Sequence, residues 1–316
     1  MAEGTAGNVA AVDCGTNSTR LLVADAEGRT LERVMRITRL GQGVDATHRL
    51  APEAIERTVA VLAEFRDTMD RLGVTRGRLV ATSAARDAAN GEEFLEAASA
   101  ASGFRAELLT GLEEGRTAYA GATADLPPAG GDDVVVDIGG GSTELVLKRG
   151  AGLRSVSLDL GCVRLTERTL RHDPPSAGEV VRAQQVIRAE LEKAVARVPE
   201  LERLDARRRL IGLAGTVSTV AMLDQGLEQY TREAIQHAVL PVDRVDHWCD
   251  VLGHEPAEAR GRLPGMEPGR RDVIFGGVLI LRTVMERFGF AECVVSESDI
   301  LDGLVLSLLD WSLEQG

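Results

Sequence analysis

The stretch VVVDIGGGSTELVL, residues 134–147, places three glycines between an apolar run and a Ser-Thr pair. The same pattern occurs earlier in the chain, in AAVDCGTNSTRLLV at residues 10–23. The residues that coincide at this fixed offset are Val12/Val136, Asp13/Asp137, Gly15/Gly139, Ser18/Ser142, Thr19/Thr143 and Leu21/Leu145. A tight turn alone does not require so many identities, and both copies lie between apolar, strand-like segments. The sequence therefore predicts a duplicated β-hairpin and, with it, a second domain built on the same plan.

Each copy of the hairpin has the composition of an anion-binding site. A turn of Gly, Ser and Thr places several backbone N–H groups and two hydroxyls around one point, which favours an anionic oxygen. Asp13 and Asp137 end the preceding strands, where a carboxylate is suited to hold Mg²⁺ or its waters. Two such turns facing each other across a cleft would bind two neighbouring phosphates. One position breaks the symmetry, because Arg20 in the first copy corresponds to Glu144 in the second.

The composition indicates a globular protein that acts on something other than a nucleic acid. A chain of 316 residues with 44% hydrophobic residues is long enough for two domains. It has no apolar run of membrane-spanning length and no signal pattern, so we expect a soluble cytoplasmic protein without a membrane partner. The four scattered cysteines argue against disulfides and a zinc ribbon. The net charge of −13 argues against a nucleic-acid partner, although a locally positive cleft could hold a small polyanion.

The first half of the chain shows a β-α-β-α order, which predicts a parallel sheet covered by helices. We expect strands at 9–13, 20–25, 78–83 and 104–110, and helices at 51–73, from 84 to about 102, and at 111–121. In such sheets ligands bind beyond the carboxyl ends of the strands. Arg86 and Glu114 each follow a strand end, so we expect them to face one crevice.

A linker rich in Pro and Gly, residues 124–133, separates the two copies of the hairpin. We therefore expect an N-terminal domain over 1–126 and a C-terminal domain over 127–316, with the last helix able to pack back on the N-terminal domain. The elements expected beyond the second hairpin are a strand-to-helix turn at 210–219, a helix at 271–287, a strand at 292–295 and a closing helix from about 299.

The common signatures of nucleotide-binding proteins and hydrolases are absent. The chain contains no GxxxxGK[ST], no GxGxxG that opens a βα unit, no HExxH, no GxSxG and no closely spaced Cys/His set.

Seven segments together resemble the motif series of the exopolyphosphatase/guanosine pentaphosphate phosphohydrolase family. They are, in chain order, DCGTNST at 13–19, VATSAARDAAN at 80–90, GLEEG at 111–115, VDIGGGSTELV at 136–146, LGCVRLTE at 160–167, GLAGTVST at 212–219 and SESDILDGL at 296–304. The resemblance implies an α/β fold of two actin-like (ribonuclease-H-like) domains with the active site in the cleft between them. It also implies Mg²⁺-dependent release of the terminal phosphate from polyphosphate or from pppGpp.

The resemblance assigns the family's catalytic glutamate to Glu114, with the role of orienting or deprotonating the attacking water. On a helix Glu113 and Glu114 point about 100° apart, so only one of them can face a cleft. The family usually has alanine where this chain has Gly115, which weakens the expected helix start. A glutamate in the first turn also stabilises the helix dipole, so a purely capping role for Glu114 is the alternative.

The resemblance also assigns the residues that would bind phosphate and metal. Glu144 corresponds to the second functional acid and Asp137 to the metal-associated aspartate, so Asp13, Asp137 and Glu144 are the expected metal ligands. Arg86 corresponds to an arginine that would clamp a phosphate bidentately. The phosphate-binding residues implied by the two turns are Thr16, Asn17, Ser18, Thr19, Gly139, Gly140, Gly141, Ser142 and Thr143.

Further candidates lie outside the two hairpins. Gly215 and Thr216 begin a predicted helix, whose N–H groups would bind another phosphate, and close helix–strand packing is the alternative explanation for this glycine. Four arginines are candidates for lining a channel along a longer polyanion, namely Arg164, Arg168, Arg270 and Arg271.

Several alternatives stay open at the level of function. The same site would fit pppGpp or a nucleoside triphosphate. A sugar or acetate kinase would share the fold, but the glutamate pair and the lack of a sugar-recognition motif argue against it. A non-catalytic sensor of a phosphorylated messenger is disfavoured by the acids at 114, 137 and 144. Mg²⁺ is the expected cofactor, with a monovalent cation such as K⁺ as a second candidate, and a homodimer is the expected assembly.

Overall fold

The computed structural model describes residues 7–309. The described part of the chain forms two compact units: the first contains residues 7–121 and 300–309, and the second contains Ala122–Asp299. The boundary therefore lies slightly before the expected one between residues 126 and 127. The closing helix groups with the first unit, although the range expected for the C-terminal domain, 127–316, includes it.

The first unit is built on a five-stranded mixed sheet. Its strands are β1 (Asn8–Cys14), β2 (Ser18–Ala24), β3 (Thr30–Ile37), β4 (Val74–Ala81) and β5 (Ala106–Leu108). Its helices are α1 (Val44–Thr47), α2 (Pro52–Arg71), α3 (Ser83–Arg86), α4 (Gly91–Ser102) and α5 (Gly111–Thr123), the last of which runs across the boundary. The strands lie in the order β3-β2-β1-β4-β5, with β4 and β5 parallel to β1 and with β2 and β3 forming antiparallel hairpins.

Helix α2 follows the expected pattern closely. Pro52 occupies its first turn, and Gly73 adopts a left-handed φ of 65° just beyond its end. The buried side chains of α2 are Ala54, Thr58, Leu62, Phe65 and Met69. Ile55 and Val59, which share the helical spacing of the apolar residues, are only half-buried. The buried face of the helix therefore includes the small residues Ala54 and Thr58 in its first half.

The second unit repeats this plan around a six-stranded sheet. Its strands are β6 (Asp133–Ile138), β7 (Thr143–Arg149), β8 (Gly152–Leu158), β9 (Arg209–Leu213), β10 (Val239–Pro241) and β11 (Glu292–Val295). Its helices are α6 (Cys162–Thr169), α7 (Ala177–Arg197), α8 (Ala214–Gln225), α9 (Arg232–Ile235), α10 (Val242–His254), α11 (Ala257–Arg260) and α12 (Ile274–Phe288). The last helix of the chain, α13 (Ile300–Leu308), packs against β1, β2 and β4 of the first unit.

The two sheets have the same topology. The second runs β10-β11-β9-β6-β7-β8, so its run β8-β7-β6-β9-β11 repeats the order of the first sheet, with β10 added at the edge. Each unit also has its own apolar core on one face of its sheet. The expected fold class of two α/β domains built on the same plan is confirmed.

Some elements were not expected from the sequence. The third strand of each sheet, β3 and β8, has no counterpart among the predicted strands. β3 lies at the edge of its sheet and has no fully buried residue. Because neither face of β3 is fully buried, its sequence TLERVMRI does not show the apolar–polar alternation that indicates a strand. Within residues 7–309, no helix has both the length and the apolar character needed to cross a membrane.

Candidate functional site

The two turns that carry the sequence repeat close in the same way. In the first, the Gly15 N–H donates to the Ser18 carbonyl at 3.0 Å, and in the second the Gly139 N–H donates to the Ser142 carbonyl at 3.0 Å. A Cβ added to either glycine would lie 3.1 or 3.2 Å from that same carbonyl oxygen, which is a tight contact. The predicted duplication therefore extends to the hydrogen bond and the steric fit of each turn.

The carbonyl groups of the second turn point toward helix α6. The Gly139 carbonyl accepts from the Cys162 N–H at 3.0 Å, and the Gly140 carbonyl accepts from the Val163 N–H at 2.9 Å. Within a trans peptide the N–H points opposite to the C=O. The N–H groups of Gly140 and Gly141 are therefore directed away from α6, as an anion-binding turn requires.

The first turn is oriented by segment 38–41, which follows β3. The Asn17 carbonyl accepts from the N–H groups of Thr38 and Arg39 at 3.1 and 2.9 Å, and the Thr16 carbonyl accepts from the Gly41 N–H at 2.9 Å. By the same peptide geometry, the N–H groups of Asn17 and Ser18 point away from this segment. Both turns thus use their carbonyl oxygens internally and direct N–H groups to the other side.

Two of the expected phosphate-binding hydroxyls are used inside the units. Thr19 is fully buried, and its hydroxyl lies 2.9 Å from that of Thr38. Thr143 is also fully buried and donates to the Leu160 carbonyl at 2.5 Å. The expectation that Thr19 and Thr143 present hydroxyls to a phosphate is not supported by this geometry, because the side chains after each turn point into the fold and hold the turn in place.

The difference between Arg20 and Glu144 changes the charge of the two hairpins. Arg20 lies opposite Asp13 in the β1–β2 pair, and its Nη2 contacts Asp13 Oδ2 at 2.6 Å. Glu144 lies opposite Asp137 in the β6–β7 pair, so two acids occupy the positions that an ion pair occupies in the first unit. Glu144 is 1% exposed, and Ser157 of β8 donates to its Oε1 at 2.7 Å. The first hairpin is thus internally neutralised, whereas the second concentrates negative charge.

The acids of the second hairpin suit a divalent cation that also binds the substrate. Within residues 7–309 no cluster of three or more His, Cys, Asp and Glu side chains is arranged to hold a metal ion by itself. Mg²⁺ is commonly held by one or two carboxylates together with waters and substrate phosphate oxygens. Asp137 and Glu144 fit that kind of site. Asp13 fits it less well because Arg20 already neutralises its carboxylate.

The start of helix α5 separates the roles of Glu113 and Glu114. The Glu113 carboxylate accepts from the Thr110 N–H at 2.9 Å and the Thr110 hydroxyl at 2.7 Å, and the Glu113 N–H lies 3.3 Å from that hydroxyl. This reciprocal pair is a capping box, and the backbone hydrogen bond from Thr110 lowers the pKa of the Glu113 carboxyl. The capping role that was the alternative for Glu114 therefore belongs to Glu113.

Glu114 lies on the other side of α5, against an arginine. It is 9% exposed, and its Oε2 is 3.2 Å from Nη1 of Arg86. The same nitrogen donates to the Leu109 carbonyl at 2.9 Å. The first unit thus brings together Arg86 and Glu114, as expected from their positions after β4 and β5.

The third turn, between β9 and α8, contains a residue with a strained backbone, and the side chain of Arg270 lies against it. Ala214 has a left-handed φ of 67°, which is costly for a residue with a side chain. A Cβ on the next residue, Gly215, would overlap the guanidinium of Arg270. Arg270 also lies close to Cys162, whose pKa burial raises to about 11 while the arginine opposes part of that rise. Arg270 therefore lies near the first residues of both α6 and α8.

Thr216 is placed differently from Gly215. It is 4% exposed, and its side chain lies where a Cβ on Gly277 of α12 would be. Its position is therefore that of a residue in close helix packing, which was the alternative for this segment. Of the other candidate channel arginines, Arg164 is buried and contacts Asp159 at 3.3 Å, whereas Arg168 and Arg271 are exposed.

Two residues of the site region, Thr110 and Ser157, were not identified from the sequence. Thr110 and Glu113 form the T-x-x-E pattern of a capping box, so that signal was available. Ser157 carries no local signal, because its contact with Glu144 depends on the register of β8 against β7.

Comparisons with known proteins find matches over nearly the whole chain. Residues 22–311 match the model of the Ppx/GppA phosphatase family. The chain is 44% identical to Exopolyphosphatase 2 of Mycobacterium tuberculosis, covering 95% of this chain and 98% of that protein. A crystal structure of an exopolyphosphatase-like protein is 34% identical, with a TM-score of 0.88 over 95% of this chain and 98% of the other. The structure of the Aquifex aeolicus member of the Ppx/GppA family is also 34% identical, with a TM-score of 0.79 over 96% and 97%.

Proposed function

Because the chain belongs to the Ppx/GppA phosphatase family, we propose that it is an exopolyphosphatase, which hydrolyses the terminal phosphoanhydride of inorganic polyphosphate and releases orthophosphate. Its similarity to Exopolyphosphatase 2 of Mycobacterium tuberculosis over 95% of the chain favours polyphosphate as the substrate. The observation that carries the proposal is the Arg86–Glu114 pair, a buried carboxylate held by a cation in the unit that also contains the first anion-binding turn.

The proposed mechanism depends on positioning and on charge. Phosphoryl transfer to water requires little covalent participation by the protein. In the first unit we assign phosphate contacts to the outward N–H groups of its turn and to Arg86, and in the second unit to the outward N–H groups of its own turn. Within the described residues both protein contacts of Arg86 use Nη1, which leaves Nη2 and Nε for a phosphate oxygen.

Glu114 is proposed to accept the proton of the attacking water. A carboxylate held within hydrogen-bond reach of water can act as a general base, and the contact with Arg86 fixes its direction. Asp137 and Glu144 are the proposed ligands of Mg²⁺, which would neutralise charge on the phosphate chain when bound. Asp13 is proposed to hold Arg20 in place rather than to bind the metal.

A phosphate-release assay on the purified protein tests this function. Polyphosphates of several lengths and pppGpp are compared, each with Mg²⁺ and with EDTA. The proposal expects phosphate from polyphosphate in the presence of Mg²⁺ and none in EDTA. Release from pppGpp alone would favour the second candidate, a guanosine pentaphosphate phosphohydrolase. Light scattering of the same sample measures whether the protein is the proposed homodimer.

A further inference from the structure

Three residues of the second unit form a row across neighbouring strands. Asp137 of β6 lies opposite Glu144 of β7, and Glu144 lies opposite Ser157 of β8. Directly opposed residues of antiparallel strands project to the same face of the sheet. The neighbours Val136, Leu145 and Val156 point into the core on the other face. The row therefore lies on the face of the sheet away from that core.

The equivalent row of the first unit has a different composition. There Asp13 lies opposite Arg20, and Arg20 lies opposite Met35 of β3. In that row the arginine stabilises the aspartate directly, and the third position is an apolar side chain. In the second row the central position is an acid, and the third position supplies a hydroxyl that donates to it at 2.7 Å. Between the two copies, the central residue changes from Arg20 to Glu144 and the third residue from Met35 to Ser157.

We propose that Ser157 is a positioning residue for the reaction, which holds the Glu144 carboxylate in the orientation that binds a divalent cation beside Asp137. The inference rests on the proposed function for its role in catalysis. By donating to Oε1, Ser157 restrains the orientation of the Glu144 carboxylate. The backbone at Ser157 is itself held, because its carbonyl accepts from Nη1 of Arg197 at 3.3 Å.

A hydrogen bond to a metal-ligating carboxylate affects the metal more than the fold. Partners that orient metal ligands change metal affinity by roughly 10–100-fold when they are removed. Loss of the Ser157 hydroxyl would leave both acids in place but remove the hydrogen bond that restrains the Glu144 carboxylate. Cation binding is therefore expected to weaken, while binding of the phosphate chain by the turns is retained.

The test compares Ser157→Ala with Ser157→Thr and Ser155→Ala. Ser155 lies on the same strand and face, opposite Val146, and its buried Oγ has no hydrogen-bond partner among the described residues. Ser155→Ala therefore removes a hydroxyl from the same sheet without touching Glu144. Ser157→Thr keeps the hydroxyl and suits a strand. Mn²⁺ binding is measured by electron paramagnetic resonance of the free ion, with saturating orthophosphate, and steady-state kinetics on polyphosphate are measured in parallel.

We expect Ser157→Ala to weaken Mn²⁺ binding roughly tenfold and to raise the Mg²⁺ concentration for half-maximal activity by a similar factor, with an unchanged KM for polyphosphate. Ser157→Thr restores most of the affinity, and Ser155→Ala behaves as the wild type. The proposal would be overturned if Ser157→Ala bound Mn²⁺ with the affinity of the wild type. It would also be overturned if Glu144→Gln bound Mn²⁺ as tightly as the wild type, because the cation would then not bind at Glu144. Because Mn²⁺ binding is measured without turnover, its outcome is separate from a failure to hydrolyse polyphosphate.

Discussion

Adjacent glutamates at the start of α5 show how a single position decides a role. Glu113 and Glu114 have the same chemistry, yet Glu113 caps the helix through Thr110 and Glu114 contacts Arg86. The 100° turn per residue of an α-helix separates them, as expected from the sequence. The capping box assigns each glutamate to one side, because its geometry requires the acid three residues after the cap.

The ion pair of Arg20 with Asp13 should contribute measurably to the stability of the first unit. Asp13 is 4% exposed, and Arg20 contacts it through Nη2 and Nε. We expect Arg20→Leu to reduce the free energy of unfolding by about 2 kcal/mol, because a buried carboxylate loses a charged donor. Urea denaturation measures the difference.

The control for this prediction is Arg29→Leu. Arg29 forms an ion pair with Asp25 in the exposed turn between β2 and β3, where solvent screens the interaction. Its replacement should leave stability nearly unchanged. Equal losses in the two variants would show that burial of Asp13 does not matter for the strength of its pair.

At the scale of elements, the sequence determines the turns better than the sheet edges. The hairpins at 13–19 and 137–143 follow from local chemistry, since Gly, Ser and Thr at fixed positions specify a tight turn. The edge strands β3 and β8 depend on a neighbouring strand for their conformation. β3 has no fully buried residue and β8 has two, so the local signal for each strand is weak. Ser157 could not be recognised for the same reason, because a register shift of one residue would turn it to the other face.

The N-terminus of α7 provides a prediction about pH. Glu179 accepts hydrogen bonds from His172, from the Ser176 backbone and hydroxyl, and from the Arg171 backbone, which lower its pKa to about 2. A carboxyl with a depressed pKa stabilises the folded state above the pKa of the unfolded chain, and the contribution is lost as the pH falls toward the folded value.

We therefore expect Glu179→Gln to be less stable than the wild type at neutral pH, with a difference that narrows from about pH 4.5 down to about pH 2. Urea denaturation at a series of pH values measures the narrowing. Glu190→Gln, on the same helix and next to the exposed Lys193, should change stability little. A difference for Glu179→Gln that grew with falling pH would contradict the sign of the argument.

At the scale of the whole molecule, the chain consists of two copies of one plan that differ in charge. The duplication and the fold class could be predicted because the repeated hairpin lies at the start of each sheet. The grouping of α13 with the first unit was only an option from the sequence, since an apolar helix carries no information about which sheet it covers. The difference between Arg20 and Glu144 was visible in the sequence, but its meaning depended on the partners, Asp13 in one unit and Ser157 in the other.

The central claim is that Glu114, rather than its neighbour Glu113, activates water for the release of phosphate from polyphosphate. Glu114→Gln keeps an oxygen that can accept from Arg86, so the fold should be preserved, as circular dichroism can verify. Phosphate release by purified Glu114→Gln should fall at least about 100-fold, because a general base contributes 10²–10⁴ to a rate. The matched variant Glu113→Gln should retain most of the activity. Near-normal phosphate release by Glu114→Gln, or an equal loss in both variants, would contradict the account.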